Sequence, residues 1–303
     1  MKIVEAHHFW PNWAAQSLRS QKTYAIGFVV PNLTNGFFGQ VGMTVDSFFR
    51  KHCYSTLICF TSNDHTVELE SLNSLINKNV DGIIFAPVGY AADYLSKVPR
   101  LAWKPLVIID NVCRGIRANH VLHDNVHGAR VLVEHLIEHG HGRIACVTGP
   151  IEETSGAERL RGYEEALRRH GLVPDKSLIR ITSWEINGGD EAVRDLFGGG
   201  AGRPTAAFFA NSQLLLGGYK AFNALKLDIP TNVAVVCFDT PHVIDSLVPR
   251  PTTLERFEAG IGLTAAGILF DLIQGKEGVR TRTVRIRRDL SLGHSCGCVG
   301  GAL

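Results

Sequence analysis

The chain has 303 residues, which at ~100–200 residues per domain corresponds to two domains. Hydrophobic residues make up 45% and charged residues 20%, a globular balance that excludes a disordered chain. Lys+Arg 31 against Asp+Glu 29 gives a net charge of +2, which excludes a strongly basic nucleic-acid coat and an acidic tail but leaves room for a local DNA contact. The seven cysteines are scattered, mostly within apolar runs such as STLICF and RIACVTG. They read as buried thiols of a reducing cytosol, not as a disulfide framework. No uninterrupted apolar run reaches ~18 residues, and the N-terminus lacks the apolar stretch of a secretory signal. A cytoplasmic protein without a membrane partner is expected.

Residues 1–23 fit no packed unit. Pro11 breaks the chain, Asn12 can cap a helix starting after it, and WAAQSLR is too short to be a stable isolated helix. Beyond residue 23, β-branched runs at 24–30, 54–60, 81–86 and 105–109 predict strands. Between them, Val41, Val45, Phe48 and Phe49, then Leu69, Leu72, Leu75 and Ile76, recur with helical spacing. Strands separated by helices imply βαβ units and parallel sheets covered on both faces. The alternation continues. Helices are expected near 125–139, 157–171, 188–197, 212–226 and 255–274, and strands at 143–148, 178–182, 205–209, 233–238 and 283–287. Gly171 is placed to end its helix as a C′ glycine. The GGGAGRP run at 198–204 precedes a strand and lacks a G-K-[ST] ending, so it reads as a surface loop.

The stretch PNWAAQSLRSQKTYAIGFVVPNLTNGFF (11–38) resembles the lac/galactose repressor family at its hinge and first core strand. DGIIFAP, PLVIIDN, DNVHGARVLVEHLIEHGHGRIACVTGP, ERLRGYEEAL, AFFANSQLLLGGYKAFNALKLDIP, VAVVCFDT and PTTLERFEAG come after it in family order and span essentially the whole chain. The resemblance implies an α/β, periplasmic-binding-protein-like type I fold, with two doubly wound parallel-sheet lobes and a cleft between them. It divides the chain into a hinge and head remnant (1–23), a first lobe (24–121 plus 253–277), a second lobe (122–250 plus 279–296) and a tail (297–303). Full-length members begin with a helix-turn-helix of roughly fifty residues. Only KIVEAHHFWPN precedes the hinge here, which points to a shortened chain or a misplaced start.

Pockets of such sheets lie beyond the carboxyl ends of the strands. Asp110, Asn211 and Asp239 follow predicted strands, Trp184 lies just past one, and Asn35 and Phe37 lie in the loop after the first. Arg159 opens a predicted helix. The resemblance puts all of these, and Arg256, at effector-contacting positions. Their chemistry suits a sugar: carboxylates and amides for hydroxyl groups, a guanidinium for paired oxygens and an indole for a C–H face. A lone Asp after a strand is otherwise a helix cap or turn residue. Ser212 and Arg256 stand where the family usually has Asp and Gln, so no specific sugar carries over.

The i,i+4 pairs His123/His127 and His135/His139 have chelating spacing but no HExxH motif and no adjacent Cys pair, so no metal site is expected. In the family, paired hinge helices enter the DNA minor groove, and a Leu wedges a base step. Leu18 matches that wedge and Ala15 its neighbour; Arg19 can touch phosphate, and Asn12 caps the helix. No G-x-S-x-G, H-E-x-x-H or Walker pattern is present, so an enzyme is not expected. The sequence thus reads as the effector core of a homodimeric repressor that binds operator DNA through its head and hinge, with no cofactor. The alternative on the same fold is a solute-binding protein for transport.

Overall fold

The computed structural model describes residues 22–33, 36–89, 95, 98–113, 116–199, 202–240, 243, 246–276 and 281–298. The hinge residues Asn12, Ala15, Leu18 and Arg19, the 297–303 tail beyond Cys298, and Asn35 lie outside them. In chain order the elements begin with β1 (Ala25–Val30), α1 (Gly36–Lys51), β2 (Ser55–Phe60), α2 (His65–Asn77), β3 (Gly82–Phe85), β4 (Leu106–Ile109) and β5 (Asn119–His123). Next come α3 (Asn125–Glu138), β6 (Ile144–Thr148), α4 (Thr154–Arg169), β7 (Ile179–Ile181), α5 (Ile186–Phe197), β8 (Ala206–Phe209) and α6 (Ser212–Ala224). The chain continues with β9 (Ala234–Cys237), β10 (Thr252–Leu254), α7 (Glu258–Ile273), β11 (Thr283–Ile286) and β12 (Leu290–Ser291).

Two six-stranded sheets result, ordered β11-β5-β4-β3-β1-β2 and β12-β10-β9-β8-β6-β7. All pairings are parallel except β10 with β12. Inner strands such as GIIF, LVII, AAFF and AVVC are buried at every residue. Helices on both faces require continuous apolar runs there. The edge strands β2, β7 and β11 keep exposed residues.

The helices follow their sequence signals. Asp64 caps α2 by accepting from the Thr66 and Val67 N–H groups, and Asp124 caps α3 by accepting from His127 N–H. Gly171 adopts φ +75° just past α4. In the first lobe, α1 and α7 bury Val41, Val45, Phe49, Ile261 and Leu269 on one face of the sheet. Leu72, Leu75 and Ile76 of α2 join a separate cluster with Phe85 and Ile108. The second lobe is built around Phe208, Phe209, Phe222 and Phe238.

The strands β5, β10 and β12 are additional to those predicted. NHVLH is polar at both ends, and TTL and LS are too short to show a period. These strands also move the lobe boundaries. The division at 121/122 falls inside β5, which belongs wholly to the first sheet. β10 pairs with β9 and so carries residues 253–254 into the second sheet. The 279–296 stretch, expected wholly in the second lobe, is split: β11 pairs with β5 and β12 with β10. The chain therefore crosses between the lobes after β5, after β10 and after β11. The expectation of buried thiols is corrected at Cys53, which is exposed at φ +62° where α1 ends.

Candidate functional site

A cavity of about 630 Å³ opens between the lobes at the carboxyl ends of the strands. From the first lobe it is lined by Asn32 after β1, Asn63 after β2, Val88 after β3, Asp110 after β4 and His123 at the end of β5. The second lobe contributes Pro150 after β6, Trp184 after β7, Asn211 after β8 and Asp239 after β9. This is where a parallel sheet leaves strand-end groups and helix N-termini free to face a ligand.

Arg159 lies within α4, not at its start, because the helix begins three residues earlier than its apolar pattern suggests. It is only 4% exposed. Its Nε donates to Asn125 Oδ1 at 2.9 Å, and its Nη1 donates to the Ala210 carbonyl and to Asp239 Oδ2, the latter at 3.5 Å. Nη2 has no hydrogen-bond partner among the described residues. The guanidinium lies 3.8 Å over the Phe238 ring, and that cation–π contact offsets part of the cost of burial. Gly162 makes this position reachable. A Cβ there would sit 2.4 Å from the Val126 carbonyl oxygen, so glycine lets α4 approach α3, which carries Asn125.

Asp239 is also held from the other side, where Arg288 Nη2 donates to its Oδ1 at 3.4 Å. Burial lowers the Arg288 pKa, and the Asp239 charge opposes that shift. Asn211 does two jobs already: its Oδ1 caps α6 by accepting from Leu214 N–H, and its amide donates to the Trp184 carbonyl. Trp184 Nε1 in turn donates to Glu153 Oε2 at 2.7 Å. Phe37 lies 5.3 Å from the His123 ring.

Two carboxyl groups in the cavity are pushed toward their neutral forms. Burial raises Glu153 to about 7, although the Trp184 N–H bond works against the shift. Burial raises Asp110 to about 6; Arg159 opposes that shift and Asp239 adds to it. Asp110 holds the left-handed conformation at φ +66°. His123 is 2% exposed, and neither of its ring nitrogens has a partner among the described residues. Burial, then Arg288 and Arg159, hold its pKa well below 6.5. It is a neutral imidazole presenting one donor and one acceptor.

The structure thus brings Phe37, Asp110, Arg159, Trp184, Asn211 and Asp239 to one cavity. Arg256 is exposed on the loop between β10 and α7 and is not among the cavity's lining residues. The buried arginine on Asp239 is instead Arg288, which in sequence is one of several in the polar run RIRRDL. Sequence reasoning also misses His123 and Glu153 as cavity residues. Its spacing pairs His123 with His127, but the two lie on different elements, and His127 Nδ1 sits 3.0 Å from Arg130.

Comparison with known proteins adds identity to this geometry. The family model of a periplasmic-binding-protein-like domain matches residues 133–296. The ribose operon repressor of Escherichia coli (strain K12) is 28% identical over 271 residues, covering 89% of this chain and 82% of that protein. A LacI family transcriptional regulator from Mycobacterium smegmatis has a solved structure with a TM-score of 0.79 and 26% identity, covering 89% of this chain and 98% of that one. The complex of the transcriptional regulator CelR with cellobiose gives a TM-score of 0.81 at 25% identity, covering 97% of this chain and 88% of that one. The chain belongs to the periplasmic-binding-protein-like family and is the core of a lac/galactose repressor family (LacI-family) regulator.

Proposed function

We propose that this core binds a small polar effector, a sugar or sugar derivative, in the inter-lobe cavity, and that binding alters operator DNA affinity through the hinge. The observation that carries this reading is the polar set around Asp239. Arg159 offers Nη2 and His123 offers a ring donor and acceptor, none of them partnered among the described residues, and Asp239 and Asp110 offer carboxyl oxygens. Trp184 and Phe37 add the apolar faces that a sugar ring stacks on. A ligand touching both lobes binds one closure more tightly than another and so shifts their populations. The ribose and cellobiose named for relatives support the sugar class.

Readout runs through the first lobe to residues 1–23. In this reading Leu18 wedges a base step, Ala15 packs beside it, Asn12 caps the hinge helix and Arg19 meets phosphate. The chain works as a homodimer. The exposed Ile58 and Phe60 on edge strand β2 support a second copy as the partner of the first lobe. No helix among the described residues is long and apolar enough to cross a membrane. A transport role is the weaker reading, because the relatives that match are transcriptional regulators; an enzymatic role is weaker for the same reason.

Calorimetry and thermal-shift measurements with pentoses, disaccharides, polyols and nucleobases test the proposal. A sugar should stabilise the chain, and Arg159→Ala should abolish that effect. A ligand effect untouched by Arg159→Ala and Asp239→Asn would overturn the site.

A further inference from the structure

A second cluster lies outside the cavity, where the end of α3 meets the C-terminal segment. His135 is in the last turn of α3, and His139 caps that helix. Their rings lie 4.3 Å apart. The segment Ser295–Cys298 is fastened beside them: Ser295 Oγ donates to the Val235 carbonyl, and Val235 N–H donates to the Ser295 carbonyl at 2.7 Å. This brings Cys296 and Cys298 to the two histidines. The ligand atoms of His135, His139 and Cys298 all lie within 4.8 Å of one another. The Cys296 thiol faces His135 and Cys298 from the same segment.

We propose that His135, His139, Cys296 and Cys298 form a Cys2His2 site for a zinc-class transition-metal ion, tying the C-terminal segment to α3. Tetrahedral zinc, with Zn–N and Zn–S bonds near ~2.1 and ~2.3 Å, sets its ligand atoms roughly 3.3–3.8 Å apart. The ligand atoms of His135, His139 and Cys298, within 4.8 Å of one another, have to draw in by roughly an ångström to reach that size.

Three observations point to a ligand rather than to packing alone. His135 is 7% exposed, and its Nε2 makes no well-directed hydrogen bond among the described residues, with the Cys296 thiol the group that faces the ring. His139 Nδ1 lies 2.7 Å from the His135 carbonyl oxygen. A carbonyl only accepts, so Nδ1 carries the proton and Nε2 keeps its lone pair for a metal. This is the outer-shell bond that orients metal-bound histidines. Thr252 Oγ1 donates to Cys296 Sγ at 3.2 Å, which supports a thiolate there. The Cys298 thiol points to the Gly293 carbonyl at 3.9 Å, a weak bond that deprotonation gives up. Loading the site releases both thiol protons and leaves the two imidazoles neutral.

The spacing H-x3-H is visible in the sequence, but the cysteines are not adjacent to it. They lie more than 150 residues further on and arrive through the β9–β10 sheet edge.

The test uses the full chain, reduced and stripped of metal with a chelator. Titration with Co2+ should give one equivalent bound, with tetrahedral d–d bands in the visible and a thiolate charge-transfer band in the near ultraviolet. Zn2+ should bleach both. Cys298→Ser should remove about half of the charge-transfer intensity, that of one of two thiolates, and weaken Zn2+ binding by more than about tenfold. His139→Gln should weaken binding similarly, and Cys53→Ser, at an exposed thiol elsewhere, should change nothing. A chain that shows no thiolate–cobalt band, or whose band keeps its full intensity in Cys298→Ser, overturns the proposal.

Discussion

Asp239 is clamped between two arginines from different parts of the chain: Oδ2 lies 3.5 Å from Arg159 Nη1, and Oδ1 lies 3.4 Å from Arg288 Nη2. Both guanidinium groups stand over the same ring, Phe238, at 3.8 and 4.5 Å. Arg159 comes from α4, while Arg288 comes from the crossover after β11, so one carboxylate ties the second lobe to an inter-lobe connection. Asp239→Asn keeps the shape and removes the charge. It leaves two buried cations facing each other, a loss expected to cost about 3–5 kcal/mol. Urea unfolding should show a lower midpoint with an unchanged slope, and the sugar-induced stabilisation should disappear. Asn125→Ala, which removes the Nε acceptor of Arg159 and the amide donor to Glu158 but leaves the Asp239 charge in place, should cost less, about 1–3 kcal/mol.

The raised carboxyl groups set a pH dependence with a definite sign. Asp110 moves from 3.8 to about 6, and Glu153 from 4.5 to about 7. Between those limits the folded chain holds protons that the unfolded chain has lost. Stability from these groups is therefore fully present below about pH 4 and falls as the pH rises toward 7, by up to about 1.4 kcal/mol per pH unit for each proton. His123 acts in the opposite direction: it stays neutral when folded but charges below about 6.5 when unfolded, so it costs stability in acid. Comparing the chain with Asp110→Asn/Glu153→Gln cancels the histidine. Denaturation at pH 5 and pH 8 should show the difference between the two proteins shifting in favour of the double variant at pH 8. A pH-independent difference would mean that these carboxyl groups titrate normally.

Much of this site is legible in the sequence, for a physical reason. Asp110, Asn211 and Asp239 each follow a run of buried β-branched or aromatic residues, and parallel-sheet topology delivers such positions to one edge. Arg159 and Trp184 are found through family resemblance, since nothing in their local pattern distinguishes a cavity residue from a core one. Arg288, His123 and Glu153 are hidden. Their burial arises from contacts across 49, 115 and 31 residues, to Asp239, Phe238 and Trp184. No periodicity encodes such separations. The same holds for β11, whose place in the first sheet depends on a partner, β5, far earlier in the chain.

Trp184 is positioned by the absence of a side chain opposite it. A Cβ on Gly149 would lie 2.1 Å from the indole Cε2. Gly149→Ala must therefore displace the ring, breaking its 2.7 Å bond to Glu153 and the Asn211 link to its carbonyl. The strain falls on a cavity wall rather than on the sheet, so a moderate stability loss of about 1–3 kcal/mol is expected. Effector binding should suffer more than folding does. Calorimetry should show a weakened sugar with a cooperative unfolding transition retained. Trp184→Phe, which keeps an apolar face without the N–H donor, should lose less affinity than Gly149→Ala.

The edge of the first sheet supplies the last prediction. On β2, Ile58 and Phe60 are 44% and 47% exposed, on a strand that pairs on one side only among the described residues. An apolar free edge invites pairing with another chain, and a second copy covering it would bury two large side chains per subunit. Each such side chain contributes up to about 1.5–3 kcal/mol when fully covered. Ile58→Glu/Phe60→Lys should therefore convert a dimer into a monomer in sedimentation. Substitutions at these surface positions should leave subunit stability within about 0.5 kcal/mol once the assembly term is removed by working at low concentration. Operator affinity should fall with dimerisation, because two hinge segments must reach the DNA together. A variant that remains dimeric would move the interface to another face of the first lobe.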